Sequence, residues 1–461
     1  MPGPTVDIGR DLAFFADPQS TFKTAAANYP VAADAVRPLT ASVNGKAPFA
    51  MFADKRGTST QQGVIDQKKT GEFSLECYAY TTTAGTAPDW ADLLTSGGWQ
   101  AEGSGNTTVR GTASTTTQVN VAGTAGMGAG SCIVVGGEIR RITAVDATPG
   151  AAHVTVTPAL TTAPTTAGVA VTGGIVYKPK DAKDTVPDAL TLWAFNNRSA
   201  DRAIGGVIGS STLTMGGDEA SRITFSGTAR QVDRLVATTL NLGAPTLDAS
   251  DIIFTVTDGT AIPADVSAAT PYYFQIDSEV FAVIAVSGNS ITVVTRGATG
   301  LGAGAATHAE GAEFYPYQPT GTFAGSPIPA TSGGIIINGA AISGGSISVE
   351  VDQGIVYREN VHGDAYVVDG YVGGMRAVTA TIEGWTFFDS SMVVAMTANS
   401  RTPVPVLCQQ GDVAGSIVAV EMPTFQIEAP DLDRGGDEVT MSLTGQARGL
   451  TAETEIYILV G

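Results

Sequence analysis

Three histidines, His153, His308 and His362, are the chain's whole supply of imidazole. General-base catalysis and most transition-metal sites need such a ring beside a second reactive group. None of the three has a partner at the spacing of a nucleophile pair, an HExxH helix or a metal-ligand run, so a histidine enzyme is not expected. Cys77, Cys132 and Cys408 are odd in number, widely spaced and without any CxxC, and read as three small buried thiols rather than a disulfide framework or a zinc site. GxSxG is absent. The glycine runs GTAGMGAGS (123–131) and GLGAGAATH (300–308) do not sit between a strand and a helix with a later ribose-binding acid, and are read as turns. APDLDRGGDE (429–438) has the Asp-x-Asp spacing of a calcium loop without the later bidentate glutamate, which leaves a solvated hairpin turn. Asn106 and Asn197 head glycosylation sequons that carry no meaning without a secretory route. No catalytic, cofactor-binding or metal-ligating residue is assigned, and the expectation is that the protein is not an enzyme.

The elements are more informative than the reactive groups. GGDEASRITFSGTAR stands at 216–230 and GGDEVTMSLTGQAR at 435–448. In the first, Ile223, Phe225 and Ala229 alternate with Arg222, Thr224, Ser226, Thr228 and Arg230. In the second, Met441, Leu443 and Ala447 oppose Thr440, Ser442, Thr444, Gln446 and Arg448. A period of two predicts a strand with one buried face, and the Gly-Gly-Asp-Glu lead-in predicts the turn of a hairpin. Gly227 and Gly445 recur at matching places inside these strands, where glycine implies a bulge or a close backbone approach.

A chain of 461 residues is too long for one ordinary core, and 43% hydrophobic with 15% charged residues argues against disorder. Abundant glycine and threonine with β-branched runs point to a mainly β protein in several domains. The balance of 25 basic against 44 acidic residues makes non-specific attraction to DNA or anionic lipid unfavourable. The start, MPGPTVDIGRDLAFFADPQ, lacks the basic and apolar regions of a signal peptide, and no run of 18 apolar residues occurs. Synthesis in a cytoplasm, with no membrane partner, is therefore expected.

The repetition extends beyond one line. TGEFSLECYAYT (70–81) alternates Phe73, Leu75, Cys77 and Ala79 and precedes a helix-like APDWADLLTSGGW (87–99). MRAVTATIEGWTF (375–387) alternates Val378, Ala380 and Ile382 and precedes FFDSSMVVAMTANS (387–400). Asp89 after Pro88, and Asp389 with Ser390, read as the helix starts. Upstream, 37–57 corresponds to 344–360; downstream, 203–221 corresponds to 416–439. Two stretches break the pattern and resemble each other: one, with Glu138, follows a Gly/Ser/Thr linker, and the other carries Glu279. The resulting division is an N-terminal arm (1–36), a first β domain (37–102 with 181–237), an inserted small β module (103–180), a second small β module and linker (238–330), and a second β domain (331–461).

These motifs carry a resemblance. EFSLECYAY, PDWADLL and GGW in the first half, with MRAVTATIEGW, PVPVL, VEMPTFQI and GGDEVTMSLTGQAR in the second, resemble the tail tube proteins of tailed bacteriophages and the related distal-tail and contractile-tail inner tube folds. The resemblance covers roughly 37–102, 185–237 and 331–461. It implies two tandem tail-tube-like β-sandwich or barrel domains, each with a flanking helix, plus the two inserted modules. Family members carry one tube domain per chain and stack as hexameric rings. A chain with two such domains then implies a homotrimeric, pseudo-hexameric ring. The implied role is a structural virion protein, the major tail tube protein of a long-tailed phage (a siphovirus), forming the conduit for DNA ejection. The implied partners are further copies of the chain, the tape measure, terminator and distal tail proteins, and passing DNA, with the virion tail as location and no cofactor. A distal-tail or tail-tip ring, a receptor-binding adhesion protein using the inserts on glycans, and a polysaccharide-cleaving tail enzyme are the other readings.

An acidic lining repels phosphate and keeps a water layer, so DNA slides through it. Asp352, Glu359, Asp364 and Asp369 are the lumen-facing candidates. Phe14, Phe15 and Phe22 in the arm, and Lys55, Arg56, Lys68 and Lys69 in the polar hairpin 52–69, are the candidates for ring-to-ring contact.

Overall fold

The computed structural model describes residues 12–461 apart from 20, 21, 24, 26–28, 52–63, 82, 112, 181–187, 295, 298, 299, 324, 343, 359, 360, 368, 386–401, 429, 430, 434–439 and 450–453. The chain is mainly β. Fifteen strands of its principal sheet matter for the site. They are β1 (Leu12–Pro18), β2 (Thr40–Lys46), β3 (Thr70–Tyr78), β4 (Leu190–Asn196), β5 (Ser199–Gly216), β6 (Arg222–Ala229), β7 (Gln231–Leu235), β8 (Gly333–Ile337), β9 (Gly344–Asp352), β10 (Ala377–Trp385), β11 (Val404–Gln410), β12 (Val418–Ile427), β13 (Asp431–Asp433), β14 (Thr440–Ala447) and β15 (Tyr457–Val460). One helix of any length, α1 (Ala91–Ser96), is seen among the described residues.

The same succession of antiparallel pairings occurs twice. In the first half β1 pairs with β4, β4 with β5, β5 with β7 and β6, β6 with β3, and β3 with β2. In the second, β8 pairs with β11, β11 with β12, β12 with β15 and β14, β14 with β10, and β10 with β9. The registers also agree: Gly227 lies opposite Phe73 as Gly445 lies opposite Ala380, and Val43 opposite Phe73 as Val349 opposite Ala380. β5 is one strand of 18 residues, whereas its counterpart is split into β12 and β13.

The period-two pattern explains which face is dry. Phe73, Leu75 and Cys77 of β3, Ile223 and Phe225 of β6, Ile347, Val349 and Val351 of β9, and Ala380 and Ile382 of β10 are all buried in one apolar core. Each large side chain so buried contributes about 1.5–3 kcal/mol. The core is closed from the other side by β4, β8, β11 and β12 and by Trp90, Leu93 and Leu94 of the α1 region. Asp89 does not cap that helix: Trp90 occupies the position without a side-chain cap, and Asp89 accepts instead from Arg37 Nε at 3.4 Å. The second expected helix, 387–400, with its start at Asp389 and Ser390, lies outside the described residues.

Residues 107–173 and 238–316 each form a separate six-stranded sheet with its own apolar cluster. The first docks on the second half through Cys132, Val134 and Ile139 against Leu407, Ala419 and Leu459. The second packs Phe254, Phe274, Phe281 and Phe314 into a cluster shared with Phe15, Trp193 and Phe195. Phe14 and Phe15, expected at a ring contact, are therefore interior, at 1% and 0% exposed, and Phe22 is 6% exposed beside Val207 and Val367. Their apolar surface is spent on the chain's own core. No helix among the described residues is long and apolar enough to cross a membrane.

Candidate functional site

The two halves join in one continuous sheet. The last residues of β5, Ser210–Gly216, pair with β6 on one side and with β9 on the other, Leu213 opposite Val349. The order across the seam is β2, β3, β6, β5, β9, β10, β14, β13, eight strands with every neighbour antiparallel.

Its apolar side is the core already described, so strand alternation dictates what lies on the other side. One register row runs Asn44, Glu72, Thr228; the next Ser42, Ser74, Ser226, Ser210, Asp352; the next Thr40, Glu76, Thr224, Thr212, Glu350, Thr379, Gln446. Further rows add Thr381 opposite Thr444 and Glu383 opposite Ser442. The face is thus built of hydroxyls and carboxylates. Glu72, Glu350, Asp352 and Glu383 are exposed. Two cations enter from the margins. Lys46 bonds Glu72, and Arg222 reaches Glu76 at 3.5 Å and Glu219 at 2.7 Å. No ion pair to Glu350, Asp352 or Glu383 is seen among the described residues. A groove of about 600 Å³ follows the face over Ser42, Asn44, Glu72, Ser226, Glu350 and Asp352, and Tyr357 stands at its end with its hydroxyl donating to the Val207 carbonyl at 3.4 Å.

A larger cleft, about 1080 Å³, lies between the principal sheet and the 238–316 module, and its charges are largely satisfied internally. Arg202 bonds Asp265 and Asp233, and Arg234 bonds Asp201 at 2.7 Å, which leaves little there to recognise a ligand. No group of three or more His, Cys, Asp or Glu side chains placed to hold a metal occurs among the described residues.

Of the acids singled out from the sequence, Asp352 lies on the polar face, where its Oδ1 accepts from Gly354 N at 2.9 Å. Asp364 and Asp369 do not join it. Asp364 bonds Arg230 at 3.1 Å and sits 3.7 Å from Lys23; the Tyr366 N–H, then Arg230 and Lys23, hold its carboxyl below the usual range. Asp369 lies 3.5 Å from Arg358. Glu359, Lys55 and Arg56 fall outside the described residues. Lys68 donates to the Val361 carbonyl at 2.6 Å and Lys69 forms a backbone bridge with Tyr366, so both engage the chain's own 361–366 loop. Glu72, Glu76, Glu350 and Glu383 were missed as a group. The signal was present: each is the polar member of an alternating run, and it needed only the register to bring the runs together. No family model and no curated protein matches this chain.

Proposed function

We propose that the protein is a structural subunit of a long-tailed phage, a tail tube protein whose copies close into a three-chain annulus, stack, and conduct DNA. The observation that supports this reading is the eight-stranded seam sheet: two equivalent halves side by side, with one apolar face buried and one face of Ser, Thr, Glu and Asp lining a groove. A sheet that already continues from one half to its twin contains once the contact that a ring would repeat between copies. Three copies contribute about 24 strands, which at ~4.8 Å apart enclose a circle roughly 37 Å across, wider if the strands tilt. That bore admits a nucleic-acid duplex with water around it.

The lining suits passage rather than binding. Each cation placed on a phosphate releases counterions and holds the duplex, whereas unpaired carboxylates repel it and hydroxyls keep a hydration layer. The polar face supplies both, and its lysine and arginine are already paired with glutamates. The 107–173 and 238–316 modules pack on the far side of the core from this face, so in such an annulus they stand outward.

Electron microscopy of the purified protein with mass measurement tests the reading. Long tubes with three chains per layer are the expected result. A single non-stacking ring points to a tail-tip component, and a protein that stays monomeric, or places six chains in each layer, overturns the proposal.

A further inference from the structure

β13 and β2 are equivalent, by the duplication, to the two strands that form the internal seam. β5 meets β9 through residues Ser210–Gly216, with Thr212 opposite Glu350, Leu213 opposite Val349 and Thr214 opposite Ser348. In the second half β13 takes the place of that part of β5: Asp431 lies opposite Ser442 as Thr212 lies opposite Thr224, and Asp433 opposite Thr440 as Thr214 opposite Arg222. In the first half β2 takes the place of β9. Among the described residues β13 pairs only with β14, and β2 only with β3. Among the described residues each therefore presents one open edge, and an open edge is a template for another strand.

We propose that β13 of one copy pairs with β2 of the next in the register of the internal seam: Asp431 opposite Asn44, Leu432 opposite Val43 and Asp433 opposite Ser42. The occupant of the edge is a second copy of this chain because the chain already contains the matching interface once, between its own halves. The contact is head to tail, so it propagates in one direction and closes when the repeated rotation completes a turn. The register keeps Val43, which is 4% exposed, on the core side and Ser42 and Asn44 on the polar face, so the groove lining continues from copy to copy. This inference rests on the annular reading, and adds to it the strands and the register.

Cysteine pairing in the full chain tests it. Directly opposed residues on antiparallel strands have Cα atoms about 4.5–5.5 Å apart, within disulfide reach, whereas a two-residue offset is about 7–8 Å and beyond it. Cys77, Cys132 and Cys408 are buried and their thiols are pushed up by that burial, Cys408 to about 12, so they stay silent. The variant Asp431→Cys with Asn44→Cys is expected to give covalent oligomers on oxidation, ending at a closed trimer. Asp433→Cys with Asn44→Cys is expected to give few or none. Equal linkage of both pairs overturns the register. Assembled rings with no linkage overturn the seam and leave the annulus standing, and a persistent monomer overturns both. Amide exchange on the unsubstituted protein is independent of the variants' folding: residues 40–46 and 431–433 slow on assembly, and unchanged exchange in assembled protein overturns the seam.

Discussion

Gly227 and Gly445 mark the tightest points of the two hairpins. A Cβ on Gly227 would stand 2.0 Å from the Val207 carbonyl oxygen and 2.6 Å from the Phe73 ring; on Gly445 it would stand 2.3 Å from the Gln426 carbonyl oxygen. The two carbonyl oxygens are backbone and cannot swing away. Gly227→Ala and Gly445→Ala are each expected to cost about 1–3 kcal/mol by overpacking, read as a lower thermal midpoint, whereas Gly209→Ala, whose nearest neighbour is 3.9 Å away, is expected to be neutral. The close approach implied by glycine inside an alternating run was thus legible, but the atoms responsible were not. Asp17 shows the opposite case. Burial, then Asp34 and Asp92, raises its carboxyl from 3.8 to about 6. The folded state binds that proton more tightly than the unfolded chain, so the contribution to stability is full below pH 3.8 and is lost as pH rises through 6. Asp17→Asn is expected to melt higher than the parent at pH 7.5 and to lose that advantage at pH 4; a constant difference across the range sinks the assignment. Asp34 and Asp92 come from a distant 3-10 turn and from α1, and no spacing along the chain announces their meeting.

At the scale of elements, alternation was a sound guide to strands and a poor one to what surrounds them. The apolar rows of β3, β6, β10 and β14 were readable because a half-buried strand must repeat every two residues. Phe14 and Phe15 sit adjacent in β1, and both are interior rather than exposed because β1 is covered on both faces, by the principal core and by the 238–316 module. The docking of the 107–173 sheet was equally hidden. Arg141 of that sheet forms a two-pronged pair with Glu421 of β12, both bonds 2.8 Å, and lies over the Tyr457 ring. Glu421 is 3% exposed, and removing one partner of such a pair leaves a buried charge, at a cost of about 3–5 kcal/mol. Glu421→Ala is therefore expected to lower the denaturation midpoint sharply, while Arg141→Met with Glu421→Leu restores most of the loss. A double variant as weak as the single one means that the pair is not what joins the two sheets.

For the whole molecule the decisive feature is the continuity of the sheet through β5 and β9, because it turns a repeated sequence into a repeated geometry with open ends. The proposed three-chain annulus and the proposed seam between copies both derive from it, and microscopy and cross-linking separate them. The sequence by itself determined that the chain is mainly β, that residues 216–230 and 435–448 are variations on one hairpin arm, and which residues of each strand face a core. Those properties are local, set by the period of side chains along an extended backbone. Only the tertiary structure decided that Glu72, Glu76, Glu350 and Glu383 share a face with Asp352 while Asp364 and Asp369 do not. Two of the pairings that bring these acids together, β3 with β6 and β5 with β9, join segments more than a hundred residues apart, and a row of side chains across a sheet has no period along the chain.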